Sequence, residues 1–367
     1  MSNKVIIQNI LMNLQQINYD DVFFIGNSIV IFIASNMALK TYNLKREFNP
    51  KKVKIDFSPE IIQKYSDVNF DKILSMKYGN SLAFFAHILM NNFRDEDLAL
   101  FKNNINELVI NNKNFGLYNF LLGINVDGEY DCRKNEIGLN NKCDFLSIDH
   151  ELFHMASSIY SDNIEYSGFR YYNRKTNDDF GRGLNEGYTQ TLTERYFGSF
   201  YGDNIYIFEV HFARMTEEII GKSKMESLYL NANLNGLIDE LKKYESEENI
   251  MRYICHLDFI NKYINDSNLF MMKKKFLVAS IKYVGRFLLT CYTKKIGNEV
   301  KNNNCTMDEG IDYLMKYICK LGFCLEYGKY SFELLNKDDI EKIIKSNLDF
   351  DVNVDMVEDK KKLIIMR

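Results

Sequence analysis

The 367-residue chain has no tryptophan, only five histidines and only two prolines, Pro50 and Pro59. Both prolines stand near the amino end, so no helix-breaking ring interrupts the remaining 308 residues and long helices are expected. The seven cysteines are scattered, odd in number and without a C-x-x-C pair, which argues against a disulfide framework or a cysteine-rich metal site. Basic excess is missing as well. With 46 lysines and arginines against 50 aspartates and glutamates the net charge is -4, so the cationic stripe required by a phosphate backbone is absent and nucleic acid is not an expected partner. The amino terminus shows no basic segment, short apolar core and small-residue cleavage site in succession, and free thiols with no export signal fit a cytoplasmic protein.

What is present is a foldable chain: 46% hydrophobic and 26% charged residues offset ordering entropy, and the length suggests about two packed units. Residues 22–39 form an uncharged run, VFFIGNSIVIFIASNMAL, whose reach as a helix would be about 27 Å. It reads either as a buried element, for which Gly-Asn-Ser suits a hairpin turn, or as a membrane anchor followed by a cytoplasmic basic cluster. Helical periodicity takes over from Pro59, through FDKILSMKYGNSLAFFAHILMNNF and DEDLALFKNNINELVI. Around 128–139, DGEYDCRKNEIGL suggests a hairpin, and residues 163–182 read as a polar, aromatic loop. Helices then resume, one of them ending at Gly221; 275–292 carries Lys282 and Arg286 and reads as a core helix. The expected organisation is an N-terminal segment (1–58), a catalytic domain (59–245) and a C-terminal helical subdomain (246–367), in a helix-rich α+β fold.

Two of the five histidines stand four apart with a glutamate between: His150-Glu151-Leu152-Phe153-His154 is an H-E-x-x-H pentad. On a helix, i,i+4 spacing stacks both imidazoles on one face, a geometry that suits zinc. A catalytic zinc takes three protein ligands, so a third is needed. Ser157 and Tyr160 stand where a metzincin would have glycine and histidine, which excludes that pattern. Glu186, in Gly183-Leu184-Asn185-Glu186-Gly187-Tyr188-Thr189-Gln190, is the better candidate, with Glu165 or Glu194 as substitutes.

With His150-Glu151-x-x-His154 followed by Asn185-Glu186, the sequence resembles the gluzincins, the thermolysin-like zinc metallopeptidases, over about 45 residues. The resemblance implies a zincin-like core with a cleft-lining edge strand supplied by the 128–139 hairpin. It also implies zinc ligation by His150, His154 and Glu186, and a general-base role for Glu151 toward a peptide or protein substrate. Asn185 and Gln190 would hydrogen-bond the ligands. Gln190 departs from the family's aspartate, keeping the acceptor while losing the charge. Candidate donors to the tetrahedral oxyanion are Tyr171, Tyr172, Tyr188, His211 and His256. His87, in FFAHILM, reads as a core histidine. The alternatives are an inactive zinc-binding scaffold and a helical di-iron protein built on Glu151-x-x-His154, although no second E-x-x-H occurs.

Overall fold

Asn69 opens the first helix by accepting a hydrogen bond from Lys72 N–H, and α1 (Phe70–Ser75) runs into α2 (Gly79–Asn92). The computed structural model describes residues 67–113, 128–140, 145–198, 206–264, 271–327, 330–348, 353–357 and 362–366. All of them belong to one compact unit, Ile55–Ser199 with Asp203–Arg367. The 22–39 run, with both of its readings, lies outside the described residues. The helix expected over 70–93 breaks at Tyr78, whose left-handed backbone (φ 64°) turns the chain between α1 and α2. The next periodic stretch also divides. A 3₁₀ turn (Asp95–Leu98) and α3 (Ala99–Glu107) give way to β1 (Val109–Lys113), where β-branched Val109 and Ile110 leave the helix.

The hairpin read in the sequence forms from β2 (Gly128–Asp131) and β3 (Glu136–Asn140), antiparallel with Tyr130 opposite Ile137. β1 joins β3 in parallel, so among the described residues the sheet order is β1-β3-β2 and β2 is an edge. After α4 (Phe145–Ala156) comes a correction: the expected loop at 163–182 is largely a four-stranded antiparallel meander. Its strands are β4 (Ser158–Ser161), β5 (Ile164–Ser167), β6 (Arg170–Asn173) and β7 (Asp178–Phe180). Asp162 and Asn163 both have positive φ, 53° and 67°, the backbone of a two-residue hairpin turn matching right-handed strand twist.

Helix α5 (Arg182–Phe197) is wedged between α6 (Ile207–Ile220) and α9 (Glu247–Tyr263). The approach is backbone-close: a methyl at Gly183 would lie 2.4 Å from Leu257 O, and one at Gly187 2.2 Å from Glu209 O. Between α5 and α9 in sequence stand α7 (Lys222–Leu230) and α8 (Leu234–Leu241). The 31-residue α10 (Met271–Lys301) packs through Leu277, Ile281, Val284 and Leu288 against α9, α11 (Met307–Leu321) and α12 (Lys337–Asn347). Its Lys282 and Arg286 pair outward with Glu333 and Asp339. Two short hairpins, β8 (Cys324–Tyr327) with β9 (Tyr330–Glu333) and β10 (Asn353–Val357) with β11 (Lys362–Met366), complete the helix-rich α+β arrangement. Among the described residues no helix is long and apolar enough to cross a membrane. Beneath α4, Phe85 packs edge-on to Phe153 at 5.1 Å and stacks on Phe197 at 5.4 Å. These buried rings, each worth about 2–3 kcal/mol, anchor α4 and α5 to α2.

Candidate metal centre

The apolar face of α4 buries Ile148, Leu152, Phe153 and Met155, which leaves His150 and His154 one turn apart on the side facing α5. Their Nε2 atoms are 3.1 Å apart. Glu186, in the second turn of α5, places Oε2 3.3 Å from His150 Nε2 and 3.4 Å from His154 Nε2. All three residues are buried. Donors around a tetrahedral ion with bonds of about 2.0–2.1 Å stand about 3.3 Å from one another, so the triangle has the size of one face of such a shell. Among the described residues this is the one group of three or more histidine, cysteine or carboxylate donors able to hold a metal ion.

A ligand histidine must keep its Nε2 lone pair free, so its proton must sit on Nδ1 and find an acceptor. For His150 the requirement is met. Gln190 Nε2 donates to Glu194 Oε1 at 3.2 Å, which turns the amide oxygen toward His150 Nδ1 at 3.0 Å. Glu194 is itself paired with Arg214. The charge missing at Gln190 is thus supplied one hydrogen bond further out. His154 is less well provided for. Asn185 Oδ1 accepts the Phe169 N–H at 3.0 Å, and its Nδ2 therefore faces His154 Nδ1 at 3.3 Å. Ligation through His154 Nε2 needs that amide turned over, giving up the Phe169 bond.

Glu151 is buried beside the triangle and accepts a hydrogen bond from the backbone N–H of Tyr130 on β2. Burial raises its carboxyl above the ordinary range, against the opposing charges of His154 and His150. Glu186 goes the other way: burial opposes ionisation, but the charge of His154 and hydrogen bonds from both imidazoles hold it well below the ordinary range. Burial likewise opposes protonation of His150, and is outweighed by its hydrogen bond to Glu186 and the charges of Glu151 and Glu186, which raise it.

None of the five expected oxyanion donors reaches the triangle. Tyr188 OH donates to Glu217 at 2.6 Å, His211 Nε2–H donates to Leu321 O at 2.9 Å, and His256 Nδ1 meets Ser280 Oγ at 3.0 Å. Tyr171 packs on Tyr166, and Tyr172 OH donates to Asn177 at 3.0 Å. Glu165 pairs with Arg174 at 3.0 Å, and Glu194 serves Gln190, so neither displaces Glu186 as third donor. His87 is half-buried against Asn91. Tyr206 is the residue that sequence reasoning missed. It precedes α6 in a left-handed conformation (φ 61°) and stacks on His150, ring centres 5.8 Å apart and planes within 12°. Burial and the charge of Glu186 hold its phenol well above its ordinary pKa, so the proton stays available for donation. No pattern in the sequence marks it, because its position follows from how α6 packs on α5.

Next to the triangle lies a polar cavity of about 850 Å³, bordered by Tyr130 on the β2 side and Arg182 on the α5 side. No protein-family profile matches the sequence, and no curated protein or solved structure is similar to it. The likeness to gluzincins therefore rests on the residues of the site.

Proposed function

We propose that the chain is a zinc-dependent metallopeptidase of gluzincin type with a zincin-like catalytic core. The observation that carries the reading is the convergence of His150, His154 and Glu186 beside Glu151, which is not one of the donors and lies under an edge strand. Bound zinc would polarise a scissile carbonyl and acidify the attacking water. The other steps belong to the protein. Glu151, its affinity for a proton raised by burial, takes the proton from water and returns it to the leaving amine. Tyr206 OH donates to the oxygen on which negative charge develops. Among the described residues β2 pairs with β3 on one side only, and the Tyr130 N–H turned toward Glu151 marks its outer side, so an extended peptide can add there as a further strand.

The rival readings have less support. A structural zinc site is closed by four protein ligands, whereas the described group has three and no cysteine. A di-iron site needs carboxylates from further helices, and the described donor group offers Glu186 alone. The test is to strip the full-length protein with a chelator, titrate zinc back and follow both metal content and cleavage of a mixed peptide library by mass spectrometry. One zinc per chain with cleavage lost and restored is expected. Two irons per chain, or stoichiometric zinc without cleavage, would replace this reading with one of its rivals.

A further inference from the structure

The cavity beside the triangle carries charge on most of its walls, and the pairing of those charges decides what it can bind. Asp179 takes two hydrogen bonds from Arg170, at 2.7 and 2.8 Å. Glu165 and Asp131 both face Arg174, at 3.0 and 3.6 Å, and Glu129 on the rim lies 3.7 Å from Lys113. Asp258 accepts the backbone N–H groups of Gly181 and Gly183, each at 2.8 Å. Every carboxylate of the wall is thus engaged, and a cationic ligand would have to break an existing pair. Two cations are left over. Among the described residues Lys262 makes no ion pair, its Nζ lying 5.3 Å from the centre of the Tyr263 ring, and the one ion pair of Arg182 is a long contact, 3.9 Å, to Glu186 Oε1. The Oε2 atom of the same Glu186 faces the two histidines, so the Arg182 guanidinium stands where the cavity meets the triangle.

These two cations are held in register. Asp258 on α9 pins the opening turn of α5 through the amides on either side of Arg182, and Lys262 lies four residues beyond Asp258, on the same face of α9. Arg182 and Lys262 therefore flank one clamp from two helices. We infer that this cavity is a subsite for a carboxylate of the substrate, bound between Arg182 and Lys262, so that the enzyme selects peptides bearing an acidic group close to the scissile bond. The inference rests on the peptidase reading. Its chemistry is shared by an aspartate or glutamate side chain and by a free C-terminal carboxylate.

Binding can be measured separately from cleavage, using the full-length, zinc-loaded Glu151→Gln protein and fluorescent peptides that differ only by Glu against Gln at one position, or by a free against an amidated C-terminus. At least one carboxylate peptide should bind about tenfold more tightly than its neutral twin, and the member of the set that does so identifies the source of the carboxylate. Lys262→Gln and Arg182→Gln should each reduce that preference to about threefold or less. Lys262 is exposed, so its substitution leaves the core intact. Equal binding of every carboxylate peptide and its neutral twin would overturn the inference, as would a preference that survives both substitutions. Library cleavage by the wild-type protein is scored independently: acid-selective binding with no cleavage sinks the peptidase reading alone, and cleavage with no acid selectivity sinks the subsite alone.

Discussion

The chain Arg214–Glu194–Gln190–His150 permits a quantitative test of how this site supports a metal. Replacing Gln190 with Leu keeps the side chain's bulk but removes the acceptor for His150 Nδ1–H, leaving a buried donor unpaired. Lost partners of ligand histidines typically cost 10–100-fold in metal affinity, or about 1.4–2.7 kcal/mol. Glu194→Gln is subtler, because the amide can still accept from Gln190 and only the charge is lost. Two hydrogen bonds of 3.2 and 3.0 Å and the width of an amide separate the Glu194 carboxylate from His150 Nδ1. That distance is roughly 8 Å, where a unit charge contributes about 2 kcal/mol at an effective dielectric of about 20. Arg214 and solvent offset part of it, so Glu194→Gln should weaken zinc binding about 3–10-fold. The assay is zinc competition with a chromophoric chelator at pH 7.5, with circular dichroism to verify folding. A Gln190→Leu protein binding zinc within twofold of wild type would refute the reasoning, as would a larger loss for Glu194→Gln than for Gln190→Leu.

Three further outcomes follow. Asn185→Asp supplies two acceptor oxygens, one for Phe169 N–H and one for His154 Nδ1–H, and should tighten zinc binding about tenfold in the same competition assay; weaker binding would contradict the assigned orientation of the amide. Tyr206→Phe should lower kcat by about 10²–10³ with little change in KM, whereas an unchanged kcat would remove Tyr206 from the oxyanion role. Burial raises Asp258 from 3.8 to about 6, so its folded form holds the proton more tightly than the unfolded chain does. The resulting stabilisation is fully present below pH 3.8 and is lost as pH rises through about 6, a change of about 3 kcal/mol. In urea unfolding of the chelated proteins, Asp258→Asn should gain by that amount relative to wild type between pH 4 and 7, and a pH-independent difference would refute the assignment.

The candidate site was legible in the sequence where its geometry is local. His150 and His154 lie one helical turn apart, and Glu186 stands between Gly183 and Gly187, the two positions where α5 meets its neighbours at backbone distance. Gln190 is one turn beyond Glu186 and was equally readable, but its dependence on Glu194 requires side-chain rotamers. Tyr206 and the cavity walls are products of packing between α5, α6, α9 and the meander, and carry no linear signature. The meander escaped because its strands are only three or four residues long, although Asp162-Asn163 and Gly168-Phe169 sit at its two tightest turns. Strand β1 escaped because its partner is β3, paired in parallel across intervening chain, and non-local pairing leaves no local pattern.

Turnover of the Glu151→Gln protein at fixed zinc content tests the central claim most directly. The substitution preserves size and hydrogen bonding while removing the basic oxygen, and Glu151 is not one of the three donors of the triangle. Peptide hydrolysis should fall by at least about a hundredfold while one zinc per chain stays bound. Full activity in this variant would contradict the proposed mechanism, and loss of the metal would show that Glu151 is itself a ligand.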